Sequence, residues 1–149
     1  MTPTDDPIAF RVFNEIGIIA QLSRTEFERV MPDGLKLSQF MVLNHLTRLG
    51  GDWNQSRLAS AFQVTKGAMT NTIQRLENRN FVKVVADPTD GRGKLVSITG
   101  AGRAARADCL QKLAPVLSQL LATIPADEFA AALPFLERLR VHLDENRNE

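Results

Sequence analysis

Residues 54–80, NQSRLASAFQVTKGAMTNTIQRLENRN, decide how the rest of the chain is read. Asn54 is a short polar residue able to accept a hydrogen bond from a free N–H at a helix start, and Trp53 and Leu58 are spaced as a hydrophobic staple across that first turn. The helix predicted there is short, because Phe62-Gln63-Val64 leads straight to Thr65, a second N-cap residue. After Thr65, Met69, Ile73 and Leu76 recur at helical spacing and define one apolar face. Two helices therefore meet across a tight turn.

Downstream, residues 81–99, FVKVVADPTDGRGKLVSIT, change period. Two extended runs, 81–86 and 95–98, flank a Pro- and Asp-Gly-containing loop, which predicts a two-stranded β-hairpin with a basic tip. Upstream, Ser38 is a candidate N-cap for a helix carrying Met41, Leu43, Leu46 and Leu49, which stops at Gly50-Gly51. Before it, residues 8–30 repeat apolar side chains at helical spacing until Pro32-Asp33-Gly34. After the hairpin, Thr99 can cap a long helix through Leu110, Leu113, Leu117 and Leu121, with a kink expected at Pro115. A last helix from near Pro125 carries Phe129, Leu133, Leu136, Leu139 and Leu143, with a bend expected at Pro134. The fold class is mainly α.

With 149 residues and 44% hydrophobic composition, the chain has enough apolar material for a core, so disorder is not the default reading. The formal net charge of +1 is silent as a total. Resolved along the chain it is not: residues 53–106 hold nine basic side chains against three acidic ones, while the segments on either side are net acidic. Positive charge thus concentrates on the helix pair and the hairpin, as expected of a module that enters a groove flanked by phosphates.

The polar side chains of that module have matching chemistry. On the second helix of the pair, Lys66, Thr70, Asn71, Gln74 and Arg75 lie on or near the exposed face. Asn and Gln can pair with adenine edges, and Arg with guanine. Thr65 and Gly67 sit at the helix start, where backbone N–H groups favour a phosphate, although Gly67 is equally readable as a tight packing point. Asn54, Gln55 and Arg57 are candidates for clamping phosphates. In the hairpin tip Arg92 is the candidate for minor-groove or phosphate contact and Lys94 its support, while Asp90 orients the turn.

Leu37-Ser38-Gln39-Phe40 with Val42-Leu43, Leu58-Ala59, Met69-Thr70 with Ile73 and Leu76-Glu77, Phe81-Val82, Asp87-Pro88, Asp90-x-Arg92 and Val96-x-Ile98-Thr99-x-x-Gly102 together resemble the MarR family of winged helix–turn–helix transcription regulators. The chain departs from the family pattern at Gly91, where arginine is usual, at Asn80, where glycine is common, and at Asn71, where arginine is common. The resemblance implies a winged helix–turn–helix DNA-binding domain over residues 37–98 and a helical dimerisation region over residues 1–36 and 99–149. It implies a homodimer on double-stranded DNA, a pseudopalindromic operator, and a small-molecule effector acting in a cleft. No residue identifies the ligand beyond a weak candidacy of His45, which reads otherwise as a hydrogen-bonded core residue.

Other classes are set aside on residue grounds. His45, His142 and the lone Cys109 are too sparse for a zinc site or a nucleophilic triad, so neither metal, cofactor nor enzyme activity is expected. Cys109 reads as a small packed residue. Gly100-x-Gly102-x-x-Ala105 imitates a dinucleotide fingerprint, but the helical pattern that follows leaves no place for the second strand such a site requires. The acidic start of the chain lacks an apolar run, and charges or prolines interrupt every candidate membrane span, so a cytoplasmic protein is expected. The rival reading is a dimeric winged-helix protein-interaction module whose basic face meets an acidic partner.

Overall fold

The computed structural model describes residue 2 and residues 5–147. Helix α1 (Ile8–Val30) is followed by a short 3-10 turn, then α2 (Leu37–Leu49), β1 (Trp53–Asn54), α3 (Gln55–Ala61) and α4 (Lys66–Asn78). The chain continues through β2 (Val82–Ala86), β3 (Lys94–Ile98), α5 (Gly100–Thr123) and α6 (Ala126–Glu145). Among the described residues, those up to Leu113 form one compact unit and those from Ala114 onward another.

Helix α2 starts at Leu37, one residue before the expected Ser38 cap. The Gln39 side chain accepts the Lys36 N–H at 3.2 Å, and Glu28, near the end of α1, accepts the Leu37 N–H at 3.1 Å. A carboxylate from the preceding helix thus satisfies a free donor at the α2 start. Gly50 and Gly51 end α2 at φ 68° and 74°, a backbone conformation that other residues rarely adopt. The buried face of α2 is Gln39, Phe40, Val42, Leu43 and Leu46. Met41 and Leu49, expected on that face, are 41% and 50% exposed.

Helices α3 and α4 close in the same way. Gln63 at φ 54° lets its N–H reach Ser60 O and the Val64 N–H reach Ala59 O; Asn80 at φ 60° lets its N–H reach Glu77 O and the Phe81 N–H reach Leu76 O. Both are Schellman closures built on a non-glycine residue. The first makes the tight turn, from which Thr65 caps α4 by accepting the Ala68 N–H at 3.1 Å.

The hairpin β2–β3 is present, but the sheet has three strands in the order β1-β3-β2, all antiparallel. Trp53 pairs with Val96 and Asn54 with Leu95. The two-stranded expectation missed β1 because two residues show no alternation. The core of the unit joins Val42, Leu43 and Leu46 of α2, Leu58 and Ala59 of α3, Met69, Ile73 and Leu76 of α4, and Val82 and Val96 of the sheet. A second cluster holds Met31, Leu35, Phe40 and Cys109, with Phe27 and Leu113 against it.

The start of α5 is fastened to the end of α4. The Thr99 hydroxyl accepts the Gly102 N–H at 3.0 Å and donates to Asn80 O at 2.6 Å, while the Thr99 N–H donates to Phe81 O at 3.1 Å. A Cβ on Gly102 would lie 2.1 Å from Phe81 O, so only glycine admits this approach. That close packing accounts for Gly102, and a β3 antiparallel to both neighbours lacks the parallel strand pair that a dinucleotide fingerprint requires. Farther along, Arg106 Nε donates to Asn44 Oδ1 of α2 at 3.0 Å. Helix α5 runs unbroken through Pro115, and in the second unit α6 runs unbroken through Pro134.

Candidate nucleic-acid interface

With Met69, Ile73 and Leu76 committed to the core, the other side of α4 shows Lys66, Asn71, Gln74 and Arg75 to solvent, with Thr70 half-buried at its margin. The Thr70 hydroxyl donates to Lys66 O at 2.8 Å, and Arg75 Nε reaches Asn71 Oδ1 at 3.4 Å, so the two polar side chains one turn apart are held beside each other. Among the described residues, Lys66, Arg75, Arg92 and Lys94 have no carboxylate within ion-pair distance. Their charge is therefore directed at solvent. A Cβ placed on Gly67 would meet nothing within 4 Å, so the packing explanation for this glycine falls away, and the first turn of α4 presents bare backbone.

The wing loop between β2 and β3 carries Arg92 at its exposed end, and Lys94 opens β3 opposite Ala86. Asp90 Oδ1 accepts the Arg92 backbone N–H at 3.1 Å, so its carboxylate shapes the turn, as its chemistry suggested. On α3, the Arg57 guanidinium lies 4.2 Å from the centre of the Trp53 ring, which braces an otherwise mobile side chain. Gln55 is the first residue of α3 and half-buried.

Asn54, a candidate phosphate clamp, is engaged within the chain itself. Its Oδ1 accepts the Ser56 N–H at 2.8 Å and its Nδ2 donates to Asp87 Oδ2 at 3.2 Å, so both ends of the amide are engaged within the chain. Asp87, for which the sequence suggested no role, is only 8% exposed. Its other oxygen accepts the Thr89 N–H at 2.9 Å and the Thr89 hydroxyl at 2.7 Å. Hydrogen bonds from the Thr89 hydroxyl, the Thr89 N–H and Asn54 hold its carboxyl below the usual carboxylate range. The Asp87-Pro88-Thr89 spelling signals the local turn, but nothing near it in sequence points to Asn54.

Among the described residues His45 is not the hydrogen-bonded core residue that the sequence suggested. Its ring packs against Trp53 and Phe62, and its buried Nε2 has no partner among the described residues. Burial, then the charges of Arg48 and Arg57, push its pKa down. Cys109 is fully buried, and burial, reinforced by Asp108, pushes its thiol up, which suits a packed rather than a reactive residue. Among the described residues no three His, Cys, Asp or Glu side chains gather as a metal site, and no single helix is long and apolar enough to cross a membrane.

An exposed polar helix in the second position of a tight helix pair, backed by α2 and α3 and flanked by a basic hairpin, defines a winged helix–turn–helix protein. The sequence model of the MarR family matches residues 33–93 of this chain. The multiple antibiotic resistance protein MarR of Escherichia coli K12 is 29% identical over 137 residues, which cover 86% of this chain and 94% of that protein. A crystal structure of a MarR shares the fold with a TM-score of 0.82 at 23% identity, covering 99% of this chain and 98% of that one. A cysteine-to-serine variant of Escherichia coli MarR complexed with operator DNA matches at 27% identity with a TM-score of 0.68, covering 87% of this chain and 93% of that one.

Proposed function

We propose that this chain is a sequence-specific, double-stranded DNA-binding transcription regulator, acting as a repressor. The observation that carries the reading is the cationic and amide face of α4, with Lys66, Asn71, Gln74 and Arg75 exposed together above a fully packed apolar side. Thr65 and Gly67 add the helix start, Thr70 its margin, Arg57 and Gln55 the flank on α3, and Arg92, Lys94 and the turn held by Asp90 the wing. The Escherichia coli relative complexed with operator DNA supports the same use of this fold.

The protein acts as a homodimer. On α1, Ile8, Phe10, Ile19 and Leu22 are exposed, and on α6 Phe129, Leu133, Phe135 and Leu143 are. That much apolar surface on two helices suits a second copy of the chain better than water. The reader is the domain of residues 37–98, and residues 1–36 and 99–149 supply dimerisation. Two α4 helices related by a two-fold axis read half-sites about 34–36 Å apart, which makes the operator pseudopalindromic. A small-molecule effector that binds one spacing of the two readers better than the other releases the DNA. The setting is the cytoplasm.

The test is selection of bound duplexes from a random library, with light scattering of the free protein and a salt titration on the winning sequence. A dimer, a pseudopalindrome and an affinity falling steeply with salt are expected. Binding that shows neither sequence preference nor salt dependence overturns the reading and favours a protein-interaction module.

A further inference from the structure

Two segments that would touch DNA at different places, the wing and the start of α3, are joined in this fold through a single amide. Asn54 caps α3 with its oxygen and holds Asp87 with its nitrogen, across 33 residues of sequence. From Asp87 the connections run into the loop: its N–H donates to Gly93 O at 3.0 Å, the Gly93 N–H donates to Asp90 O at 2.9 Å, and Asp90 Oδ1 accepts the Arg92 N–H. A Cβ on Gly93 would sit 2.8 Å from Asn54 Nδ2 and 3.0 Å from Asp90 Oδ2, so a side chain at residue 93 would displace the Asn54 amide or the Asp90 carboxylate from its place. The backbone pairing of Asn54 with Leu95 sets the distance, and the Asn54–Asp87 bond fixes the loop at that distance.

We propose that Asp87 and Asn54 are positioning residues that lock the Arg92-bearing wing loop to the first turn of α3, so that wing and helix pair meet a duplex as one rigid reader. The proposal rests on the DNA-binding reading above. It explains why a buried carboxylate stands in a region whose function calls for positive charge: a neutral residue could complete the local turn with Thr89, but a carboxylate also has a free oxygen for the Asn54 donor. It also assigns Asn54 a part other than phosphate contact.

The polarity of the bond can be exchanged without changing net charge, which provides the test. Asp87→Asn alone sets an amide with one acceptor oxygen against both Thr89 and Asn54, and Asn54→Asp alone sets two carboxylates against each other. The double variant carrying both substitutions restores one donor and one acceptor across the gap, and aspartate remains a good helix cap. Amide hydrogen exchange on the free protein reads the lock without DNA. Faster exchange at Gly93 and Arg92 is expected in each single variant, with wild-type protection regained in the double variant. In duplex titrations each single variant binds about tenfold more weakly, with the salt slope of Arg92→Ala, and adding Arg92→Ala to Asp87→Asn costs little more. The double variant regains wild-type affinity. Unchanged exchange in the single variants, or a double variant no better than either, overturns the lock. A wild-type chain that retains the exchange pattern but binds no duplex instead refutes the function on which the proposal rests.

Discussion

The His45 imidazole meets the Trp53 indole edge-on, with ring centroids 4.4 Å apart and the planes at 74°. The indole N–H is satisfied by Gly50 O at 3.0 Å, whereas His45 Nε2 has no partner among the described residues. A proton on this ring would place a cation beside Arg48 and Arg57, and both charges resist it. Because the folded-state pKa is lowered, the unfolded chain takes up the proton first as pH falls through about 6.5. Stability is therefore lost from there down to the folded-state pKa, and no further below it. His45→Phe keeps the ring packing and removes the titration. Urea unfolding at pH 7.5 and 5.5 should show a smaller pH-dependent loss in the variant; equal losses in both proteins would rule out this role for His45.

In the proposed complex with DNA the wing and α4 would contribute to binding in different ways. Arg92→Ala should weaken binding to every duplex and reduce the slope of log affinity against log salt by about one. Asn71→Ala and Arg75→Ala should instead change which bases are preferred, by about 1–3 kcal/mol at the affected position. Gel-shift titrations over a panel of single-base operator variants separate the two. A uniform loss from all three substitutions would remove base reading from α4.

Asn80 holds φ 60° to close α4, where a side chain with Cβ is strained unless it is Asn or Asp. Asn80→Gly should leave stability unchanged or raise it by a few tenths of a kcal/mol, and Asn80→Ala should cost about 1 kcal/mol. Chemical denaturation midpoints measure both. The reverse order would mean that the amide side chain itself, rather than the backbone conformation, is what residue 80 supplies.

Gly102→Ala should be among the most damaging one-carbon additions in the chain. Its Cβ lands on Phe81 O, a backbone atom that cannot turn aside, and the cost is about 2–3 kcal/mol as α5 is pushed from its seat. Gly67→Ala, in open space on α4, is the matched control and should leave stability unchanged or raise it by up to about 1 kcal/mol. Calorimetric unfolding of the pair compares them directly, and equal melting temperatures would contradict the close packing.

Much of this architecture is legible in the sequence because it is locally encoded. Asn54 and Thr65 cap the helices they precede, Gly50-Gly51 stops α2, and the 69–73–76 spacing gives the buried side of α4. What escapes is what depends on partners distant in sequence. Ser38 looks like a cap, but Glu28 in another helix satisfies the α2 start, so the helix begins earlier. Strand β1 exists only because β3 lies beside it. Met41 and Leu49 are apolar and helically spaced, yet Phe40 and Val42 take the buried side because α2 is covered from other directions. At the candidate site, residue types on α4 were readable from periodicity, whereas the commitment of Asn54 to Asp87 required the fold to bring residues 54 and 87 together.

The seat of Gly102 on Phe81 has a mechanical consequence. Thr99 ties α5 to Asn80 and Phe81 on one side of the contact, and the absence of a side chain leaves no slack on the other. A start of α5 that can neither slide past nor lift away from Phe81 must take the end of α4 with it when it moves. The end of α4 and the start of α5 are thereby joined as one piece at residue 102, with no side chain between them to act as a cushion.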